Sequence, residues 1–130
     1  MIKGVIDFME KLIITVAPTG SVPTKRITPH VPITPDEIVE TGIRCERLGA
    51  TIIHVHARNP VDESASTDYA TFKDIVSKLK ARTELIIQIS TGGRAGMAYE
   101  QRNESLNLRP EMASLTTGSV NFPTSIYSNS

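Results

Sequence analysis

Two histidines, His54 and His56, stand two apart in the stretch 51–56 (TIIHVH). In an extended strand, side chains at i and i+2 leave the same face, about 6.5–7 Å apart along the chain. Two imidazoles at that spacing suit one divalent cation. Zinc would also need a carboxylate or a third histidine, and an open position for substrate. The competing reading is a pair of histidines satisfied by neighbouring polar groups, and spacing alone leaves both open. Their place at the end of an otherwise apolar run points towards the ligand pair. The sequence offers no evident third ligand, and His30, in a proline-rich segment, is expected to be exposed.

Other groups carry weaker signals. Ser90-Thr91-Gly92-Gly93 closes an apolar run, and paired glycines let backbone N–H groups approach an anion while the hydroxyls add donors. The same string also fits an ordinary turn that needs a positive φ. Ser114, Thr116 and Asn121 are polar positions near a later strand end, and each by itself reads as a turn former. Lys25, Arg26 and Arg58 suit a carboxylate or phosphate, or are plain solvated loop charges. Cys45 sits among apolar neighbours in a helical pattern and reads as core rather than nucleophile. Tyr69, Phe72, Met112 and Leu115 are expected in the core.

The elements that must position these groups alternate between strand and helix. Residues 12–16 (LIITV) form a β-branched run expected to be a buried strand. The following loop carries Pro18, Pro23, Pro29, Pro32 and Pro35, five of the eight prolines, so it should be stiff. A connection this long in a compact domain is often functional. Thr34-Pro35-Asp36-Glu37 is a capping box with proline at N1. Ile38, Val39, Ile43, Cys45 and Leu48 continue a helical period, and Gly49 sits at a C′ position, so a helix is expected over 35–48. The strand 51–56 follows, then a polar loop over 58–66.

A second helix places Tyr69, Phe72, Ile75, Val76 and Leu79 on one face, with Lys73, Asp74 and Lys78 towards water. A third strand is expected over 84–89, a weak helix over 99–106 and a short fourth strand over 112–116. A polar tail without strong elements follows over 123–130. Such alternation implies parallel strands with right-handed crossovers, in either an open doubly wound sheet or a (β/α)8 barrel. All four expected strands end in polar or glycine-rich residues, which favours the barrel, where sites assemble at those ends. A barrel takes about 250 residues. The expectation is therefore an α/β fold forming the N-terminal part of a (β/α)8 TIM barrel, about four β/α units, an incomplete barrel.

Length and composition narrow the function classes. The 130 residues carry 14 Lys and Arg against 14 Asp and Glu, for a formal charge of zero. That removes the basic footprint expected of a nucleic-acid binder and the polybasic patch of a membrane-surface protein. With 39% hydrophobic residues, 5% aromatics and no Trp, a core is built from Ile, Val and Leu. One cysteine excludes an internal disulfide and fits a reducing, cytoplasmic compartment. Asp7, Glu10 and Lys11 interrupt any signal-peptide run, and no apolar stretch approaches membrane-spanning length. No G-x-G-x-x-G follows the first strand and no G-x-x-x-x-G-K-[ST] occurs, which counts against a nucleotide binder.

Several strings, taken together and in order, resemble one family. LIITVAPTGSVPTK, PITPDEIVE, GATIIHVHAR, QISTGGRAG and RPEMASLTTGSVNF are similar to the N-terminal half of the β-keto acid cleavage enzymes, including the 3-keto-5-aminohexanoate cleavage enzyme. The resemblance spans 11–122. It implies a (β/α)8 barrel, usually a homotetramer, with a catalytic zinc or similar divalent ion. It also implies a reaction of a small β-keto acid with acetyl-CoA, giving acetoacetate and a new acyl-CoA. On this resemblance residues 1–10 are an N-terminal extension, and 11–130 are the N-terminal half of the catalytic domain. His54 and His56 match the metal-binding histidines. Ser90 matches the serine at the keto-carboxylate end of the substrate, with Gly92 and Gly93 beside it, and Ser114 and Thr116 match substrate-pocket positions on the fourth strand.

Two departures shape the expectation. Where the enzyme for the amino-bearing substrate has a glutamate that meets the amine, this chain has Val22. A charged ammonium would face an apolar group there, so the expected substrate lacks that amine. Thr116 stands where that enzyme has an asparagine. The family's third metal ligand, a glutamate, and its mechanistic aspartate and arginine belong to later strands, so the catalytic base is expected outside these residues. The isolated chain is then expected to be inactive or nearly so. The rival readings are another metal-dependent barrel aldolase or lyase, working without acetyl-CoA, and a non-catalytic half-barrel interaction module.

Overall fold

The computed structural model describes residues 11–92, 97–122 and 125–127, so the expected extension over 1–10 and Gly93 lie outside the described residues. Strand β1 (Thr15–Val16) leads through the proline-rich loop into helix α1 (Pro35–Arg47). Strand β2 (Ile52–Val55) is followed by a small antiparallel hairpin of β3 (Ala57–Arg58) and β4 (Ala65–Ser66), then by helix α2 (Tyr69–Arg82) and strand β5 (Ile86–Ile89). Helix α3 (Tyr99–Asn103) runs into a 3-10 turn (Glu104–Leu108) before strand β6 (Met112–Ala113). A second antiparallel hairpin, β7 (Val120–Phe122) with β8 (Ser125–Tyr127), ends the described chain.

The main sheet has four parallel strands in the order β1-β2-β5-β6. Each strand joins the one laid down by the preceding β/α unit, with no reversal of order. Helices α1 and α2 pack side by side on one face of this sheet. There Ile38, Val39, Phe72, Ile75 and Leu79 meet Ile53, Val55, Ile87 and Ile89, and all nine are 0–2% exposed. Gly42 sits at the closest approach: a Cβ there would lie 3.0 Å from both Ile53 Cδ1 and Leu79 Cδ2.

Local chemistry explains the helix ends. Thr34 is extended (φ −75°, ψ 155°), and its hydroxyl accepts from the Glu37 amide at 3.3 Å. Glu37 Oε2 accepts from the Thr34 and Ile33 amides at 3.0 and 2.9 Å, which completes the capping box. Gly49, at φ +99°, lets the chain turn away from the helix at little cost. At α2, Asp68 caps by accepting from the Thr71 amide and hydroxyl, both at 2.7 Å.

Several expectations are corrected. Leu48 is 85% exposed, because it caps the helix rather than continuing its buried face. Met112 is 40% and Leu115 85% exposed, because β6 pairs only with β5 and nothing among the described residues covers its far side. The outer strands are shorter than expected for the same reason: among the described residues β1 has a neighbour only in β2, and Leu12 and Ile13 are largely exposed. The tail contains β8, and the loop over 58–66 contains the β3–β4 hairpin, neither of which was expected. Arg58 is not a solvated loop charge but is buried at 1% exposure. Cys45 packs against the core as expected, Phe72 is buried, and Tyr69 is half-buried.

Candidate functional site

The pleat of β2 sorts its side chains. Ile53 and Val55 go to the helices, and His54, with His56 just past the strand end, goes to the opposite face. Both histidines are half-buried. Their rings stand side by side, centroids 4.6 Å apart, nearly perpendicular at 78°. Gln88, in register with His54 on β5, brings its Oε1 to 2.7 Å from His54 Nδ1. An amide oxygen only accepts, so Nδ1 carries the hydrogen, and Nε2 is the ring nitrogen left to face another partner.

His56 has a different environment. Burial, then the neighbouring His54 and then the Arg58 guanidinium, push its pKa down from 6.5 to about 4. The ring is therefore neutral near pH 7. Its Nδ1 is buried with no hydrogen-bond partner among the described residues. Two imidazoles on one face, one of them neutral with an unpartnered buried nitrogen, fit a borderline divalent cation such as zinc. No cluster of three or more His, Cys, Asp or Glu able to hold a metal occurs among the described residues.

The end of the neighbouring strand β5 supplies the polar turn. Ser90 is 9% exposed, and its amide donates to Val55 O at 2.9 Å, which fixes the turn against the histidine strand. Ser90 Oγ accepts from the Gly92 amide at 3.3 Å. Ser114 Oγ accepts from the Thr91 amide at 3.1 Å, and the Thr91 hydroxyl donates to Ser114 O at 2.5 Å. Ser114 thus braces the ends of β5 and β6. Thr116 is half-buried farther along, while Asn121, on β7, is exposed.

The loop after β1 reaches the same end of the sheet. Thr19 is 3% exposed, and its hydroxyl donates to Pro32 O at 2.9 Å, closing the loop on itself. Lys25 Nζ pairs with Glu37, and the Lys25 amide donates to Glu63 Oε2 at 2.8 Å. With Lys25 and the Thr34 and Ile33 amides around it, the Glu37 carboxyl is held down at about 2. Arg26 and His30 are exposed, and Val22 is 78% exposed on this loop.

Sequence reasoning missed Gln88, and it named Arg58 without foreseeing its burial. Gln88 was unremarkable alone, and its signal is the register that sets it beside His54. Arg58 continues the 54, 56, 58 alternation just before Asn59-Pro60, which places it at the same strand end, but nothing in that spacing marks it as buried.

Residues 11–130 match the model of the beta-keto acid cleavage enzyme family. The 3-oxoadipate:acetyl-CoA acetyltransferase of Cupriavidus necator is 48% identical over 118 residues, covering 90% of this chain and 41% of that protein. The 3-keto-5-aminohexanoate cleavage enzyme of Acetoanaerobium sticklandii is 44% identical over 115 residues, covering 88% of this chain and 42% of its own length. The chain thus spans about two fifths of these relatives. A solved ternary complex of ObcA with a C4-CoA adduct and oxalate superposes with a TM-score of 0.69 at 29% identity, over 78% of this chain and 27% of that one. The sheet and its helices are the N-terminal part of a (β/α)8 barrel, not half of a doubly wound sheet. Matched along nearly all its length, with the paired histidines and the Ser90 turn at adjoining strand ends, the chain belongs to the β-keto acid cleavage enzyme family.

Proposed function

We propose that the full-length protein condenses a β-keto acid with acetyl-CoA and releases acetoacetate and a new acyl-CoA. The observation that carries this reading is the side-by-side His54–His56 pair next to the Ser90 turn, in a chain of this family. The names of the relatives support it: the enzyme at 48% identity pairs 3-oxoadipate with acetyl-CoA. His54, through Nε2, and the His56 ring would hold zinc or a similar divalent ion, with a further ligand from outside the described residues. When bound, that ion polarises the β-keto oxygen as a Lewis acid.

The chain's own residues do the rest of the positioning. Gln88 keeps His54 in the tautomer that leaves Nε2 free. Ser90, Gly92, Ser114 and Thr116 line the carboxylate end of the substrate and hold it in a reactive geometry. The base that removes a proton from the keto acid's α-carbon, so that this carbon can attack the acetyl-CoA carbonyl, comes from outside these residues. The protein works as a cytoplasmic homo-oligomer, a tetramer by family resemblance. No described helix is long and apolar enough to cross a membrane.

Val22 selects a substrate without an amine, because a desolvated ammonium beside an isopropyl group lacks a counter-ion. The full-length protein should form acetoacetate from 3-oxoadipate only when acetyl-CoA is present. It should prefer 3-oxoadipate to 3-keto-5-aminohexanoate, and Val22→Glu should shift that preference towards the amine by at least about tenfold. Cleavage without acetyl-CoA would point to a conventional aldolase, and a wild-type preference for the amino substrate would remove the role of Val22.

A further inference from the structure

Arg58 is 1% exposed on β3, two residues beyond His56. Its guanidinium spends its donors on main-chain carbonyls of two other segments. Nη1 donates to Gly20 O at 3.0 Å, and Nη2 to Pro23 O at 2.7 Å. Nε donates to Glu63 O at 2.8 Å, and Nη2 also contacts that oxygen. Gly20, at φ +67°, and Pro23 stand on either side of Ser21-Val22. The two carbonyls that bracket Val22 are therefore held by one rigid fork that grows from the histidine strand. A surface loop gains nothing from so buried a cation unless its conformation must be fixed, since burying a charge is costly and is offset here by hydrogen bonds.

We propose that Arg58 is the positioning residue of the loop that carries Val22: through Gly20 O and Pro23 O it sets where Ser21-Val22 stands relative to His54 and His56. The substrate-selecting part of this inference rests on the function proposed above; the clasp itself does not. Lysine cannot replace the fork, because one ammonium on a flexible stem cannot span carbonyls of three residues with fixed geometry.

The test uses the full-length protein with Arg58→Lys and, beside it, Arg58→Gln, which removes the buried charge. Trypsin cleavage after Lys25 and Arg26 reports the loop without reference to any reaction, and thermal melting reports the fold. In at least one folded variant, cleavage at these two sites should quicken about tenfold more than cleavage elsewhere. In that variant the KM for the β-keto acid should rise about tenfold with a smaller change in kcat. The change in substrate preference caused by Val22→Glu should also shrink, because the side chain at 22 is no longer held in place. The clasp is disproved if folded variants keep the wild-type cleavage pattern. It is equally disproved if both variants melt as a whole and cleavage rises at every site alike, which makes Arg58 a general stabiliser. Selective loop cleavage in a protein that turns over no β-keto acid would keep the clasp and reject the proposed function instead.

Discussion

At the residue scale, the informative unit is the pair His54 and His56 with Gln88 behind it. A ring that donates through Nδ1 to Gln88 Oε1 cannot present that nitrogen to a cation, so under the proposed function Nε2 would be the ligand atom. In the full-length protein, His54→Ala with His56→Ala should abolish stoichiometric metal and most activity. Gln88→Leu should keep the metal but weaken its affinity about 10–100-fold, the usual effect of losing an outer partner. Metal analysis and competition with a chelator measure both, and unchanged metal content in the double variant would end the metal assignment. The histidine spacing was legible in the sequence because period 2 in a strand is a strict rule. Gln88 and Arg58 were not, because their roles depend on register and on a loop folding back, and neither leaves a mark in local periodicity.

At the element scale, α1 shows both what a sequence reveals and where it stops. Its start at Thr34-Pro35-Asp36-Glu37 was legible as a capping box, and the structure contains both reciprocal bonds. The second duty of Glu37, pairing with Lys25 across the loop, was not, since it needs the loop to return. Glu37 has a carboxyl held near 2 against an ordinary value of 4.5. Its charged form is favoured only in the folded state, so this support is complete above about pH 5 and is lost as the pH falls through 4.5 towards 2. Melting curves of the full-length protein should show Glu37→Gln below wild type at pH 7, with the gap closing near pH 2. A gap constant across that range would contradict the assignment. On the opposite face of the same helix, Gly42→Ala gains about 0.5–1 kcal/mol of helix propensity. It also forces a methyl to 3.0 Å from Ile53 and Leu79, both fully buried, where overpacking costs about 1–3 kcal/mol. The net expectation is a loss of about 1 kcal/mol by denaturant titration, and a stabilised variant would show that the two side chains have room to move.

At the scale of the whole molecule, one face of the sheet is sealed by helices and the other is not. Ile13, Ile86 and Met112, on that second face, are 69%, 42% and 40% exposed, and β1 and β6 have unpaired outer edges among the described residues. Open strand edges recruit further strands. As a separate 130-residue polypeptide the chain should therefore associate, and light scattering should show species larger than a monomer. A monomer with a single cooperative melting transition would contradict this. The β/α alternation made this architecture legible, because helical and strand periods switch cleanly along the chain. The lengths of β1 and β6 were not legible, because an apolar run does not reveal how many neighbours a strand will find.

The order β1-β2-β5-β6 has a consequence for synthesis. Every strand of this sheet docks onto the one the ribosome released just before it, so no strand has to wait for a distant mate. At roughly 5–20 residues per second, each new β/α unit arrives within a few seconds. The nascent sheet can thus lengthen stepwise in the direction of translation, with a single growing margin for chaperones to shield.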